Sequence, residues 1–464
     1  MNSNKKIHFE ISERKVLLRT FDILLVLGSL FLISDFLNFD YFTFSTSNYH
    51  WAIILGLYLS IFGSVFEMYN LQVASDSFQI IKSTILTSSV TVLFYLLTPF
   101  FTPFLPSSRL QIIIFFLTLF GSLLSWRLFY VAFLPSHRFV KNAIIVCDKD
   151  QFEELTNEIK QHDPHYRFVG FVNVDDSETL DLKLSKTVLI KIDDLWDYVN
   201  RNSVSEIIVA NQKAEGITVK VYNKLIHLLE NGFIIREYTQ LYEEISQRIP
   251  VQHITKDFYR YFPFNRSNQN HLYLMITRVL EIITSIVGLI FGLLIFPFII
   301  VGNLIGNRGP LFYSQERVGK NGKLFQIYKY RTMINNAESN GAVFTTTNDV
   351  RITKFGKFLR KTRLDEFPQF INILKGDMAI IGPRPERPIF VNEIAEIMPF
   401  YETRHVVKPG LTGWAQVNYT YGDSIQDSVV KLQYDLYYIK HRSLFLDINI
   451  MIKTMSTVLF YRGQ

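Results

Sequence analysis

The sequence has almost no cysteine. Cys147 is the single one in 464 residues, which excludes an intramolecular disulfide and any cysteine-based metal cluster and fits a reducing, cytosol-facing protein. Charge is also sparse. Charged residues make up 19% of the chain, against an aromatic share of 15% carried by 41 Phe and 24 Tyr. A chain so poor in charge is expected to place part of itself in lipid. The net charge of +6 does not call for nucleic acid, because basic residues flanking apolar segments give the same balance; no nucleic-acid partner is expected. The first apolar run lacks a small-residue cleavage site after it, so it reads as a retained anchor rather than a cleaved leader.

Four apolar stretches, 16–37, 51–69, 80–105 and 110–134, are each close to the roughly 20 residues that cross a hydrocarbon core. Lys5, Lys6, Arg14, Lys15 and Arg19 precede the first, and Arg127, Arg138 and Lys141 lie at or after the end of the fourth. The connection between the first two carries Asp35 and Asp40 but no Lys or Arg. The basic bias therefore predicts both ends of this block in the cytoplasm. An unusually apolar soluble bundle is the competing reading.

Between 139 and 245 short β-branched runs at 143–146, 168–172, 187–190 and 206–210 alternate with helical segments at 152–161 and 219–230. That alternation predicts a Rossmann-like parallel sheet with crossover helices. Glycine is what this region lacks. A dinucleotide site needs a glycine-rich turn after the first strand so that a pyrophosphate can approach the backbone. The turn here is Cys147-Asp-Lys-Asp-Gln151, and Asp148 and Asp150 would repel phosphate. An α/β domain without a cofactor site is expected.

A linker (246–271) leads to a fifth apolar run, 276–305. Pro297 lies deep inside it and should kink or break the helix, and arginines flank both sides (Arg278, Arg308, Arg317). A re-entrant helix, about 274–305, that enters and returns on the cytosolic side reconciles these features; a true crossing is the alternative.

From residue 306 the chain is dense in phosphate-holding residue types: Arg317, Lys320, Lys329 and Arg331, then Arg360, Lys361 and Arg363 before the acidic pair Asp365-Glu366. Pro368 suits the first turn of a short helix and Gly376 its end. The pair would then lie at a helix N-terminus, where negative charge is favoured. An aspartate can attack phosphorus as a covalent nucleophile, a neighbouring carboxylate can hold Mg²⁺, and cations stabilise charge on the transferring group. Pro383-Arg384-Pro385 would hold one guanidinium rigidly. Each piece alone reads as ordinary surface; the set within about 70 residues is harder to explain that way.

These residues carry a resemblance. Gln315-Glu-Arg-Val-Gly319, Tyr328-Lys-Tyr-Arg-Thr-Met333, Arg363-Leu-Asp-Glu-Phe-Pro-Gln369, Gly376-Asp-Met378, Gly382-Pro-Arg-Pro-Glu386, Lys408-Pro-Gly-Leu-Thr-Gly-Trp-Ala-Gln-Val417 and Asp435-Leu-Tyr-Tyr-Ile439 resemble the bacterial sugar transferases, monotopic polyprenyl-phosphate phosphoglycosyl transferases of the large-chain type. The resemblance implies that Asp365 attacks a UDP-sugar, releasing UMP, and that polyprenyl (undecaprenyl) phosphate then displaces it. It implies Asp365 and Glu366 as the catalytic and Mg²⁺-binding pair. Lys329, Arg331, Arg363, Arg384 with Pro383 and Pro385, and Asp435 are implied nucleotide or phosphate contacts. It further implies the first membrane step of exopolysaccharide, capsule or O-antigen synthesis, with glucose or galactose as the sugar. The enzyme would sit in the bacterial cytoplasmic membrane, catalytic domain facing the cytoplasm. Thr277-Arg278-Val-Leu-Glu281 and Asn307-Arg-Gly-Pro310 depart from the family pattern around the re-entrant helix.

The expected organisation is four transmembrane helices (1–138), the α/β domain (139–245), the linker, and an α-rich catalytic domain (272–464) ending in an amphipathic helix at 443–462. That last helix would lie on the membrane or pack on the domain; its apolar stripe suits either. His405 reads as a surface or substrate contact. Trp414 reads as a base-stacking or, more commonly, a core residue. A homodimer through the α/β domain is expected. An inactive nucleotide-sugar sensor and a transporter are the rival functions. The first would break the acidic pair or the arginine loop, and the second would show discontinuous polar helices.

Overall fold

The structure is a computed structural model that describes residues 11–36, 39, 41–42, 45, 47–69, 77–106, 108–133, 141–173, 188–210, 218–251, 270–335, 337, 349–398, 400–419 and 425–459. Lys5, Lys6, Asp40 and Arg138, Thr187 at the start of the expected third strand, most of the 246–271 linker, and 460–462 of the expected tail helix lie outside the described residues. The chain forms two compact units, Met1–Ser246 and Gln247–Gln464.

In the first unit four apolar helices occupy the four expected places: α1 (Ile11–Phe36), α2 (Tyr49–Val65), α3 (Ser77–Leu97) and α4 (Arg109–Phe133). Three contain windows long and apolar enough to cross a membrane, Lys15–Ser34, Ile80–Leu97 and Arg109–Tyr130. The 17 residues of α2 reach about 26 Å at 1.5 Å each, a little short of the hydrocarbon core. Aromatic rings fill the bundle, with Phe115 packed against Tyr41 and Tyr95. Among the described residues an ion pair lies inside it: Arg127 Nη2 to Asp22 Oδ2 at 2.5 Å, both side chains almost fully buried. Charge in so apolar a place is tolerated only when paired.

The α/β part follows as β1 (Lys141–Cys147), α5 (Phe152–His162), β2 (Tyr166–Asn173), β3 (Val188–Leu189), α6 (Leu195–Arg201), β4 (Glu206–Val209), α7 (Val219–Glu230), β5 (Ile234–Glu237) and α8 (Tyr238–Ser246). The strands are parallel, in the order β3-β2-β1-β4-β5. β1 shows why a β-branched run makes a central strand. Ala143, Ile145 and Cys147 pack on one face with Phe152 and Leu241, while Ile144 and Val146 pack on the other with Leu195 and Leu225. Both faces are covered, as a parallel sheet requires. β5 was not foreseen, because Ile-Ile-Arg-Glu mixes charge into a short run.

The second unit begins with α9 (His271–Gly306), 36 residues and about 54 Å long at 1.5 Å per residue. It continues through Pro297 as one helix, so of the expected kink or break the break does not occur. Packing on both sides of the proline accounts for this. The buried positions Glu281, Ser285, Gly292, Ile299 and Asn303 fall on one stripe of three- and four-residue spacing. Along that stripe glycines form sockets for phenylalanine rings. A Cβ on Gly288 would lie 2.6 Å from the Phe370 ring, on Gly302 2.3 Å from the Phe355 ring, and on Gly306 2.5 Å from Phe355 Cβ. The opposite side is apolar and exposed, with Val287, Ile290, Leu294 and Phe298 among it.

Packed on α9 are the hairpin β6 (Phe312–Val318) and β7 (Leu324–Tyr330), α10 (Lys354–Lys361) and α11 (Gln369–Lys375). Then come β8 (Ala379–Ile381), α12 (Pro388–Ile397), β9 (Gly410–Thr412), α13 (Trp414–Asn418), α14 (Ile425–His441) and α15 (Leu444–Leu459). The α-rich expectation therefore gains two small sheets, β6-β7 and β8-β9. Trp414 is a core residue, 1% exposed, its indole N–H donating to Gln247 O at 3.1 Å. α15 buries Leu446 and Ile450 against the domain and exposes Phe445 and Ile448. The Phe355 Cβ cannot swing away from a side chain at 306. Gly306→Leu should therefore destabilise the protein by about 1–3 kcal/mol. Gly121→Ala in α4, with no atom near the added carbon, should be neutral or stabilising by up to about 1 kcal/mol. Thermal unfolding in detergent measures both, and an unchanged Tm for Gly306→Leu would contradict the socket.

Candidate active site

The acidic pair lies between two helices that the local sequence ends sharply. α10 is capped by Thr353, whose hydroxyl accepts the Gly356 N–H at 2.8 Å. Gly356 is there because a Cβ would stand 1.9 Å from Thr332 O. Two residues past the end of α10 lies Arg363, a non-glycine residue in the left-handed region (φ 59°), a strained conformation that functional sites often retain. The chain then makes a 3-10 turn over Leu364–Glu366 and enters α11 with Pro368 as its cap and Gly376 (φ 92°) closing it. As expected, the pair sits just ahead of a short helix. Arg278 of α9 donates to Ile373 O and Leu374 O, both at 2.7 Å, neutralising the negative end of α11. Arg278 lies within the segment that departs from the family pattern, and the structure gives it a seat at the far end of the helix that follows the pair.

Asp365 and Glu366 are 7% and 9% exposed, yet their surroundings differ. Glu366 Oε1 faces three cations: Lys329 Nζ at 3.1 Å, Arg384 Nη2 at 3.4 Å and Arg363 Nη1 at 3.9 Å. Burial opposes its ionisation, but these cations outweigh burial and hold its carboxyl far below the usual range. Asp365 Oδ1 is buried with no hydrogen-bond partner. Burial, then the Glu366 charge, push the Asp365 carboxyl well above the ordinary carboxylate range, against the pull of Lys329, Arg360 and Arg363. Burial also lowers the Lys329 ammonium, and Glu366 counters part of that shift. Two adjacent carboxyls are thus driven apart in acidity, a pattern that separates their roles.

Lys329, Arg363 and Arg384 are therefore brought to the pair as expected, with Pro383 and Pro385 framing Arg384. Arg331 is not. β7 ends at Tyr330, and the Arg331 guanidinium turns back to Pro310 O (3.2 Å) and the Tyr313 ring. Asp435 is not a direct contact either. It is 1% exposed on α14, pairs with Arg404 at 2.7 Å, and burial pushes its carboxyl up to about 6. His405 is half-buried, and burial followed by the Arg404 charge pulls it down to about 4. Asn372 was missed. Fully buried on α11, it donates to Gln326 O at 2.7 Å and accepts from Tyr328 N at 3.1 Å, setting Lys329, the next residue of β7, beside the pair. A buried Asn amid apolar helix positions was the available signal.

Among the described residues no group of three or more His, Cys, Asp or Glu side chains could hold a metal ion. The pair fits a hard cation with few protein ligands, since Mg²⁺ is commonly held by one or two carboxylates plus substrate phosphates. The orphaned Oδ1 of Asp365 is the better donor, because Glu366 already faces three cations.

A family model described as bacterial sugar transferase matches residues 272–461, and one described as CoA-binding domain matches 64–234. A galactosyl transferase, CpsE, of Streptococcus agalactiae serotype III is 30% identical over 69% of this chain and 72% of its own length. The chain belongs to the bacterial sugar transferase family. The chain is also similar to an Aeromonas hydrophila UDP-N-acetylgalactosamine-undecaprenyl-phosphate N-acetylgalactosaminephosphotransferase, with 39% identity over 47% of the chain and 51% of the relative. A Xanthomonas campestris pv. campestris UDP-glucose:undecaprenyl-phosphate glucose-1-phosphate transferase is 33% identical over 58% of the chain and 55% of the relative. The chain thus spans about half the length of these last two relatives. The transferase match contains every site residue named above.

Asn372→Ala would leave the Gln326 carbonyl and the Tyr328 N–H without their partner, at about 1–3 kcal/mol for each group that stays unpaired. A clear drop in Tm is expected, and a Tm equal to wild type would show that β7 is not held this way.

Proposed function

We propose that this chain transfers a hexose-1-phosphate from a UDP-sugar to undecaprenyl or another polyprenyl phosphate, in exopolysaccharide, capsule or O-antigen synthesis. The observation that carries the reading is the unpartnered, weakly acidic Asp365 beside a Glu366 saturated with cations. In the first step an Asp365 carboxylate oxygen attacks the sugar-bearing phosphorus. The bond from that phosphorus to the bridging oxygen breaks, UMP leaves with the electron pair, and a phosphosugar remains on Asp365. In the second, an oxygen of the lipid phosphate attacks the same phosphorus and releases Asp365, giving a polyprenyl-diphosphate sugar. Lys329, Arg363 and Arg384, held by Glu366, present positive charge to the phosphoryl oxygens in both steps. Bound Mg²⁺ would neutralise charge on the diphosphate. The relatives' names, which describe UDP-sugar donors and an undecaprenyl-phosphate acceptor, support the substrate classes.

The membrane arrangement belongs to the same proposal: both ends of the α1–α4 block are cytoplasmic, and α9 enters and leaves on that side. The grip on α9 from Tyr273, which bonds to Asp447, to Asn307, which donates to Arg331 O at 2.8 Å, supports this. A crossing would separate the two ends of a helix that one domain holds along its length. Cysteines placed at 271 and 307 should both react with an impermeant thiol reagent from the cytoplasmic side only; opposite sidedness would mean a crossing.

Incubation with Mg²⁺ and UDP-glucose, UDP-galactose or UDP-N-acetylgalactosamine, without lipid, should add a phosphosugar to the peptide containing Asp365, seen by mass spectrometry. The adduct should be absent from Asp365→Asn. Since the nucleophile must be ionised and its acidity is weakened, adduct formation should decline on the acid side well above pH 4, where an ordinary aspartate titrates. No adduct and no UMP release with any donor would instead favour the inactive sensor.

A further inference from the structure

The loop that carries Arg384 is held at four successive carbonyl oxygens. Gly410 N–H donates to Pro383 O at 2.9 Å, Arg404 Nη2 to Arg384 O at 3.0 Å, Arg317 Nη1 to Pro385 O at 3.1 Å, and Val318 N–H to Glu386 O at 3.0 Å. Prolines at 383 and 385 have fixed φ and no N–H, so the loop has few donors of its own, and its four carbonyls take theirs from elsewhere. Two of the four are guanidinium groups. The Arg384 side chain is 41% exposed, whereas Arg404, which grips its carbonyl, is 4% exposed. Arg404 is itself oriented from two sides, by Asp435 at 2.7 Å and by the Tyr401 hydroxyl, both buried.

We propose that Arg404, oriented by Asp435 and Tyr401, is a positioning residue that fixes Arg384 for the diphosphate of the substrate. The proposal rests on the phosphoryl-transfer reading of the site and assigns Asp435 a role with two residues between it and the substrate. A guanidinium grips phosphate through a planar fork, so its value depends on where its backbone is held. Arg404 reaches the Arg384 carbonyl and the Asp435 carboxylate with one planar group. Lysine keeps the charge for Asp435 but has no fork to reach the carbonyl and the Tyr401 hydroxyl at the same time.

A double-mutant cycle tests this with wild type, Arg404→Lys, Arg384→Ala and the double variant, reading kcat and KM for UMP release and the dissociation constant for UDP. Arg404→Lys should keep a near-normal Tm and lower kcat/KM by about 10- to 100-fold, the scale of a misplaced catalytic contact. In the Arg384→Ala background the same change should have almost no further effect. Additive losses, or a lowered Tm with kcat/KM intact, would overturn the positioning role. If Arg404→Lys does not fold, Tyr401→Phe removes one orienting bond and should give a smaller loss with the same non-additivity. UDP binding does not need turnover. A non-additive cycle in UDP affinity without UMP release would therefore sink the transfer reading and leave the positioning role standing. A wild type that does not bind UDP would sink both.

Discussion

One carboxylate oxygen organises the candidate site. Glu366 Oε1 faces cations from three separate segments: Lys329 from a β-hairpin, Arg363 from a left-handed turn, and Arg384 from a proline-framed loop. A buried anion is tolerated only when paired, and clustered cations repel unless an anion lies among them. Each side of the cluster therefore makes the other tenable. Asp365 is one residue away, and its Oδ1 has no hydrogen-bond partner. Two carboxyls joined in sequence are thus separated in chemistry by what the fold places around them.

That cluster needs rigid supports, and the supports lead to α9. Asn372 ties the hairpin to α11, Arg278 ties α11 to α9, and phenylalanines from α10 and α11 seat in glycine sockets on the same helix. The helix keeps its other face apolar and exposed. The acidic pair is in this way set at a fixed height along the apolar helix. The proposed transfer from a water-soluble nucleotide sugar to a lipid phosphate needs that property, because the two substrates would reach the site from different phases.

The points where the structure departs from expectation share a cause. Arg331 has the same charge as Lys329 and lies two residues on, so alternation along a strand would put both on one face. The strand stops at Tyr330, and the face is lost. Asp435 belongs to a motif and is buried near the site, but its charge is spent on Arg404. Pro297 has the usual signature of a helix break, and packing on both sides outweighs the one hydrogen bond it removes. In each case the residue type was legible and its partner was not.

Legible without a fold were the apolar runs that form α1–α4 and α9, the β-branched alternation of the parallel sheet, the turn chemistry that stops α11 at Gly376, and the acidic pair with its arginines. All follow from local composition and spacing, which depend on solvent and backbone sterics within a few residues. Only the tertiary structure decided which carboxyl is the more acidic, which cations face it, and which arginine holds a loop instead of a substrate. Those outcomes depend on distances of a few ångströms between residues as far apart in sequence as 329 and 384. Electrostatic energy inside a protein changes steeply over such distances, and a linear sequence does not contain them.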